Sequence, residues 1–238
     1  MKKLLITTTI LFCISLSFSQ NTSFGIRVGY NWSELQGNYG FKTLNSYTDY
    51  NKISENYFGL YLNYNFNKRY AIQPEINFKT RGFKYNNKQG LLGASWGGNA
   101  SLNYVDIPLL LNYNYGINTK IKGFINFGPS INILVGGGKY DYYTWGDALP
   151  GGITYNYTRN IRNDFNKIDI AVIGGVGLKY LIQPKLALFS EIRTSYGITN
   201  ATVSKEYIDE NISSTWYYDN SHFLDFSIDF GIAYIFGK

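Results

Sequence analysis

Long stretches of the chain alternate between apolar and polar residues. In residues 121–135 the odd positions are Ile, Gly, Ile, Phe, Pro, Ile, Ile and Val, whereas the even positions are mostly small or polar. Because successive side chains of a β-strand point to opposite faces, this pattern predicts a strand with one oily face. Residues 224–237 repeat the pattern, with large apolar side chains separated by small residues and aspartates.

The same alternation predicts eight strands, over residues 23–34, 56–66, 70–83, 102–115, 121–135, 167–182, 186–199 and 222–237. Each is long enough for a tilted strand to cross a bilayer, which takes roughly 9 to 11 residues. Short turns at 67–69, 116–120 and 183–185 alternate with long connections at 35–55, 84–101, 136–166 and 200–221. This layout is typical of an outer-membrane barrel. We therefore predict an all-β protein that forms a closed eight-stranded antiparallel transmembrane β-barrel of the up-and-down type.

A soluble lipocalin-like barrel would show the same alternation with its oily face turned inward. The positions of the aromatic residues on the oily face favour a membrane barrel, because rings with a polar tip collect at membrane interfaces. One aromatic group lies near the short-turn rim and comprises Tyr64, Phe66, Tyr70, Tyr113, Tyr115, Tyr180, Tyr234 and Phe236. The other lies near the long-loop rim and comprises Tyr30, Trp32, Phe58, Phe78 and Tyr196, with aliphatic residues between the two groups.

The polar face of the strands carries six basic and six acidic side chains. They are Arg27, Lys79, Arg81, Lys122, Lys179, Arg193, Glu75, Asp106, Asp169, Glu191, Asp225 and Asp229. Eight strands leave an interior that side chains just fill. An Arg or Lys that faced lipid at the midplane would instead cost about 2 to 4 kcal/mol. We expect these twelve ions to fill the lumen as a neutral ion-pair network.

The N-terminus reads as an export signal. Lys2 and Lys3 precede an apolar stretch over residues 4–16, and Ser17 and Ser19 form a small-x-small site before Gln20. We predict a signal peptide over residues 1–19 and a barrel domain over residues 20–238. Cleavage would remove Cys13, the single cysteine of the chain, which excludes a disulfide scaffold or a CxxC site. The net charge would fall from +6 to +4.

Basic residues without acidic neighbours mark the short-turn side of the predicted barrel. They are Lys68, Arg69, Lys120, Lys185 and Lys238. We expect this rim to face the periplasmic leaflet, where anionic headgroups favour Lys and Arg. Nucleic-acid binding is disfavoured, because the basic residues form no stripe with stacked aromatics.

The sequence offers little for catalysis. Barrel enzymes that transfer acyl groups usually need a His base, and His222 is the one candidate. Ser221 is adjacent, but neighbouring strand residues point to opposite faces, so the two side chains cannot easily meet. The glycine runs 136–138 and 174–177 lack the Lys-Ser/Thr that completes a phosphate loop, and a lone His makes a weak metal site. We predict no catalytic, cofactor or metal residues.

The long connections are the remaining place for recognition. Residues 139–145 and 153–159 are aromatic-rich and alternating, and they bracket a turn-forming segment at 146–152, so they predict a hairpin above the membrane. Exposed aromatic clusters often mark recognition surfaces, although these rings could equally pack the loops together or meet lipopolysaccharide. The candidates are Tyr140, Tyr142, Tyr143, Trp145, Tyr155, Tyr157, Trp216, Tyr217 and Tyr218.

Several motifs resemble the outer membrane protein β-barrel domain family often labelled PorT-like. Residues 73–76, Gln-Pro-Glu-Ile, resemble its Q-P-E-aliphatic strand, and residues 104–110, Tyr-Val-Asp-Ile-Pro-Leu-Leu, resemble its Y-x-(E/D)-I-P-L-L strand. Residues 128–130, 174–177 and 195–198 fit as well. The resemblance implies a small eight-stranded outer-membrane barrel and does not imply a reaction.

The leading hypothesis is a non-enzymatic protein of a Gram-negative outer membrane that presents long surface loops for binding, adhesion or envelope assembly. Its expected partners are outer-membrane lipid, lipopolysaccharide and other envelope proteins. The alternatives are a narrow pore, a lipid-modifying barrel enzyme and a soluble secreted lipocalin-like barrel.

Overall fold

The structure is a computed structural model that describes residues 22–41, 48–87, 95–116, 118–145, 155–203, 205–209 and 214–236. The predicted signal peptide at 1–19 and Lys238 of the basic rim lie outside these residues. The strands are β1 (Thr22–Phe41), β2 (Thr48–Asn65), β3 (Tyr70–Asn87), β4 (Ser95–Gly116), β5 (Ile121–Trp145), β6 (Tyr155–Asn160), β7 (Ile168–Gln183), β8 (Leu186–Gly197), β9 (Lys205–Asp209) and β10 (Ser214–Ile235). A short 3₁₀ helix, Arg162–Asp164, follows β6. No helix of the described residues is long and apolar enough to cross a bilayer.

Eight of these strands close into an antiparallel barrel. The order around the wall is β1, β2, β3, β4, β5, β7, β8 and β10, and β10 pairs back to β1. The closing ladder runs from Ser23 opposite Ile235 to Phe41 opposite Trp216, with one register shift. Closure pairs each barrel strand on both sides, which is the requirement for backbone inside lipid. The predicted fold class is confirmed.

The oily face of each strand points outward. Val176 and Ile192 on this face are 53% and 50% exposed, whereas Arg27 and Asp229 on the other face are 2% and 0% exposed. A soluble barrel in water would bury the first pair and expose the second. The soluble lipocalin-like alternative is therefore wrong.

The outer face is layered by height. Register partners form a row of aliphatic side chains, Ile228, Ile192, Val176 and Ile125, across half of the wall. Because the strands are tilted, the row runs from Tyr30 of one aromatic belt to Tyr113 of the other, with Ile192 and Val176 between the belts. Aromatic rings lie toward both rims and contact one another there. The ring pairs are Tyr64–Phe66, Tyr70–Tyr113 and Tyr234–Phe236 near the short turns, and Tyr30–Trp32 and Phe58–Phe78 near the long connections. Two aromatic belts around an aliphatic band are the pattern of a membrane-facing surface.

Two of the short turns are built on asparagine. The Oδ1 atom of Asn67 accepts hydrogen bonds from the backbone N–H groups of Arg69 and Tyr70, at 2.8 and 2.9 Å. Asn118 accepts in the same way from the second and third residues after it, at 2.9 and 2.7 Å. Such a side chain mimics a backbone turn and holds the chain in a tight reversal. The turns fix basic side chains at this rim.

The strands extend further than predicted at the long-connection end. β5 continues to Trp145 and β4 starts at Ser95, whereas the sequence predicted limits at residues 135 and 102. The prediction ended strands where the oily face ended, but backbone pairing continues through polar and aromatic residues. β6 pairs with the end of β5, so the predicted hairpin forms, and β9 pairs with β10.

Two glycines allow β5 to leave the barrel wall. β5 pairs with β7 up to Ile133 and with β6 from Lys139 onward. Between these segments Gly137 and Gly138 have φ values of +73° and +92°, which residues with a Cβ rarely adopt. The 136–138 glycine run therefore serves a change of strand partner.

The outer face predicts a depth-dependent cost for a buried charge. Replacing Ile192 in the middle row with Arg should lower the free energy of unfolding by about 2 to 4 kcal/mol, because the charge would face hydrocarbon. Tyr180→Arg, near the short-turn rim, should cost only about 0 to 1 kcal/mol. Urea unfolding in phosphatidylcholine vesicles measures both. Equal costs would contradict a lipid-facing middle row.

Candidate functional site

The lower half of the lumen, nearer the short turns, holds a compact group of charges that we call the lower ion cluster. It comprises Arg27, Glu75, Glu191, Arg193 and Asp229. The Arg193 guanidinium donates to both oxygens of Glu75, at 2.7 and 3.0 Å, and to Glu191 at 3.0 Å. Arg27 lies 3.2 to 3.3 Å from Glu75, Glu191 and Asp229. Two guanidinium groups are therefore shared among three carboxylates.

Side-chain amides surround the carboxylates of this cluster. Gln73 and Asn77, which flank Glu75 on the same face of β3, donate to its two oxygens at 2.7 and 3.0 Å. Asn126 of β5 donates to Glu191 at 2.9 Å. A buried charge is tolerated when it is both paired and hydrogen-bonded. The amides add donors to the oxygens of Glu75 and Glu191 that the arginines also contact.

A second group of charges, the upper ion cluster, lies nearer the long connections. It comprises Lys79, Arg81, Asp106, Asp169 and Asp225. Asp225 accepts from Arg81 Nε at 2.8 Å and from Lys79 Nζ at 2.9 Å, and Lys79 also lies 2.7 Å from Asp106. Asp169 is at the edge of the cluster, 3.6 Å from Arg81. This cluster again has two cations and three carboxylates.

The structure thus brings ten of the twelve predicted lumen ions together and separates the other two. Lys122 and Lys179 lie at the short-turn mouth, where Lys122 is exposed and Lys179 is half-buried. The network therefore differs from the prediction at these positions. The physical reason is height, because Lys122 is the second residue of β5 and Lys179 is its register partner in β7. Alternation predicts on which face of a strand a residue lies, but it does not predict the height of that residue along the barrel axis.

A layer of apolar side chains closes the lumen below the lower ion cluster. This lower apolar layer comprises Tyr61, Phe124, Ala187, Phe189 and Ala233. Its rings meet edge to face, with centroids 5.5 Å apart for Tyr61 and Phe189. The Arg27 guanidinium lies over both of these rings, at 5.3 and 5.5 Å. The layer excludes water from the ions and provides cation–π contacts.

A larger upper apolar layer closes the lumen above the upper ion cluster. Its members are Leu35, Phe83, Ala100, Leu102, Tyr104, Leu134, Ile161, Phe165, Ala201 and Phe223. Arg81 lies 5.1 Å from the centroid of the Tyr104 ring and 5.7 Å from that of Phe223. Ile161, Phe165 and Ala201 come from connecting segments rather than barrel strands, and a bridge between Phe165 and Thr202 joins these segments. The connections fold inward and cap the mouth.

Little space is left between the two ion clusters. A cavity of about 10 Å³ lies there, lined among others by Tyr57, Lys79, Arg193 and Asp225. That volume is close to the minimum that one water molecule needs. The lumen is a packed core made of two ion clusters between two apolar layers.

The glycines of β7 make room for this core. A Cβ on Gly175 would collide with the Glu191 carboxylate, and one on Gly177 would collide with the Phe124 ring. The 174–177 glycine run therefore allows close approach of the plugging side chains. The sequence signal for this role was the presence of glycines on the polar face of a strand, opposite large side chains of the neighbouring strands.

His222 does not form a catalytic group with Ser221. The ring of His222 stacks on Tyr196 at 5.7 Å, and its Nδ1 lies 3.1 Å from the carbonyl oxygen of Thr199. Ser221 is fully buried on the opposite face of β10. Within the described parts of the chain, no group of three or more His, Cys, Asp or Glu side chains could hold a metal ion.

The structure describes the backbone of the aromatic recognition candidates and not their side chains. Tyr140, Tyr142, Tyr143 and Trp145 lie in β5, Tyr155 and Tyr157 lie in β6, and Trp216, Tyr217 and Tyr218 lie in β10. Their strands pair as two sheet extensions beyond the wall, one containing β5 and β6 and the other β9 and β10. The recognition role stays a prediction.

A closed antiparallel barrel with an apolar exterior, two aromatic belts and an ionic interior defines the class of outer-membrane β-barrels. A family model described as the outer membrane protein β-barrel domain matches residues 18–203. The chain belongs to this family. No curated protein matches the chain at a significant level.

Solved structures of other outer-membrane proteins are similar to this chain. OprG from Pseudomonas aeruginosa is 13% identical with a TM-score of 0.50, over 92% of this chain and 98% of that protein. Neisserial surface protein A is 10% identical with a TM-score of 0.44, over 90% and 97%. Ail of Yersinia pestis is 14% identical with a TM-score of 0.37, over 90% and 99%. The likeness to OprG, at this low identity, concerns the fold alone.

The lower ion cluster predicts a large cost for removing a cation. Arg193→Met should lower the free energy of unfolding by about 3 to 5 kcal/mol, because it leaves one guanidinium among three buried carboxylates. Adding Glu75→Gln should recover part of this loss by removing one unpaired charge. Urea unfolding in lipid vesicles measures the series.

Lys52 provides the matched control. It lies 3.6 Å from Glu34 and its side chain is 55% exposed, so Lys52→Met should cost less than about 1 kcal/mol. If Arg193→Met lowered the free energy of unfolding no more than Lys52→Met, the lumen ion pairs would contribute no more to stability than an exposed pair.

Proposed function

We propose that the protein is a closed, non-enzymatic barrel of a Gram-negative outer membrane that displays sheet extensions at the cell surface for binding, adhesion or envelope assembly. The observation that supports this most directly is the packed lumen. Both ion clusters and both apolar layers lie across the path that a solute would take. A barrel whose lumen does not conduct solutes is expected to function through the surfaces at its two ends.

The sheet extensions give the long-connection end a defined structure. β3, β4, β5 and β6 remain paired beyond the barrel wall, with Asn87 opposite Trp96 and Thr144 opposite Tyr155. On the other side, β9 pairs with β10 and β10 with β1. Paired strands present side chains at fixed spacing, which lowers the entropy that a binding surface loses on contact.

Catalysis is the weaker alternative. His222 faces outward, where its ring stacks on Tyr196 and its Nδ1 lies next to the backbone carbonyl of Thr199. A hydrolytic site would need a Ser nucleophile within hydrogen-bond reach of this ring. The adjacent Ser221 is turned into the barrel.

Sequence motifs support a proposed subfamily and a proposed signal peptide. The Gln-Pro-Glu start of the β3 motif and the Ile-Pro-Leu-Leu run of β4 support a place among the PorT-like members of the family. The charged and apolar N-terminal residues support a signal peptide cleaved after Ser19. Lipopolysaccharide and other envelope proteins are the proposed partners of the aromatic-rich extensions.

The packed lumen predicts an absence of channel activity. The purified protein in a planar bilayer should show no steady conductance, because solvated ions cannot pass the apolar layers without unfolding them. Single-channel recording checks this. Steady conductance that changes with Arg193→Met would show that ions pass through the lower ion cluster, and it would support the narrow-pore alternative.

Surface display can be tested by cysteine labelling, since the predicted mature chain contains no cysteine. Thr158→Cys, an exposed position in β6, should react with a membrane-impermeant maleimide on intact cells. Lys120→Cys, in a short turn, should react only after the outer membrane is permeabilised. The reverse result would invert the proposed orientation, and labelling of wild type would show that Cys13 is retained.

A further inference from the structure

The short-turn mouth of the barrel is an open vestibule with a basic wall. Its volume is about 870 Å³, and its lining includes Lys68, Arg69, Lys122 and Lys179. The described lining residues include no Asp or Glu. We call this space the basic vestibule.

The vestibule is separated from the lumen charges. Leu181 and Ile235 line it and also pack against the lower apolar layer. The carboxylates of the lower ion cluster lie on the other side of that layer, engaged with Arg27 and Arg193. None of the described salt bridges pairs a vestibule cation with a lumen carboxylate, although Glu191 still attracts Lys179 across this layer.

Two of these cations are placed directly against each other. Lys122 of β5 and Lys179 of β7 are register partners, and both belong to the polar face. Like charges in directly opposite positions of an antiparallel pair are destabilising. None of the ion pairs between described residues involves either lysine. An anion in the vestibule would relieve this repulsion.

The inner lysine is held in place by its surroundings. Lys179 is half-buried, and its Nζ lies 5.8 Å from the centroid of the Phe124 ring. The Lys179 ammonium thus lies on the vestibule side of Phe124. Phe124 belongs to the lower apolar layer, and Arg27 contacts that layer from the side of the lower ion cluster. The vestibule therefore has the Lys179 ammonium at its inner end and Arg69 at its opening.

We propose that the basic vestibule binds a phosphate-bearing anion. Four cations exceed what one carboxylate would neutralise, whereas a phosphate can carry two charges and offers several acceptor oxygens. The side-chain amide of Asn114, which also lines the space, can donate a further hydrogen bond. The inference depends on the closed barrel and is independent of the proposed surface role.

The same chemistry has two sources at this end of the barrel. One is the headgroup of an anionic phospholipid, which lies level with the rim if the short turns face the periplasm. The other is a soluble phosphorylated compound. Two binding measurements distinguish them: retention of phosphatidylglycerol from mixed nanodiscs by native mass spectrometry, and ³¹P line broadening of inorganic phosphate with the protein in nonionic micelles.

The test compares two double variants with equal loss of charge. Lys122→Met with Lys179→Met should weaken binding at least tenfold. Lys120→Met with Lys185→Met, on the same rim but outside the vestibule lining, should leave binding within twofold of wild type. A boiling-dependent gel shift confirms folding, and the exposed single variant Lys122→Met replaces the first double variant if that fails to fold.

Each outcome decides the proposal. Binding of phosphatidylglycerol alone supports the lipid source, binding of inorganic phosphate alone supports the soluble source, and binding of both supports the shared chemistry. No binding of either probe by wild type would overturn the site. Equal weakening by both double variants would also overturn it, because general rim charge would then explain the binding. Neither result would affect the labelling test of the surface role.

Discussion

The pairing of arginines with carboxylates inside the wall is the interaction on which the rest of the structure depends. Arg193 and Glu75 lie on opposite parts of the wall, 118 residues apart in sequence, yet they form a two-point contact. An unpaired charge in such a dry interior would cost several kcal/mol. The pairing therefore ties together β3 and β8, which the strand order places on opposite sides of the wall. The wall, in turn, must close to satisfy its backbone in lipid.

The apolar layers and the ion clusters depend on each other. Without the rings of Tyr61 and Tyr104 at the ends, water would reach the guanidinium groups and weaken their pairing with the carboxylates. Without the cations, the rings would lose contacts with Arg27 and Arg81 at 5.1 to 5.5 Å. Glycines opposite the large side chains give the layers room. The interior is thus specified by charge, ring position and missing Cβ atoms together, rather than by apolar burial alone.

Period-two alternation was sufficient to predict the fold, because each strand lies between lipid and a polar interior along its whole crossing. It could not predict depth, and so it placed Lys122 and Lys179 with the lumen ions although they lie at the mouth. It could not predict the upper apolar layer either. Ile161 and Phe165 belong to a connection without alternation, and only the folded backbone brings them over the mouth. The extended strands were missed because pairing there no longer coincides with an oily face.

The two apolar layers and the ion clusters between them separate the two ends of the molecule. The long-connection end combines paired strand extensions with aromatic residues, so its chemistry suits recognition of large surfaces. The short-turn end combines a concave space with four cations, so its chemistry suits small or headgroup-sized anions. The lower apolar layer lies between that basic space and the carboxylates of the lower ion cluster. Because no described salt bridge includes Lys122 or Lys179, which lie opposite each other at this mouth, the short-turn end keeps positive charge that an anion would balance.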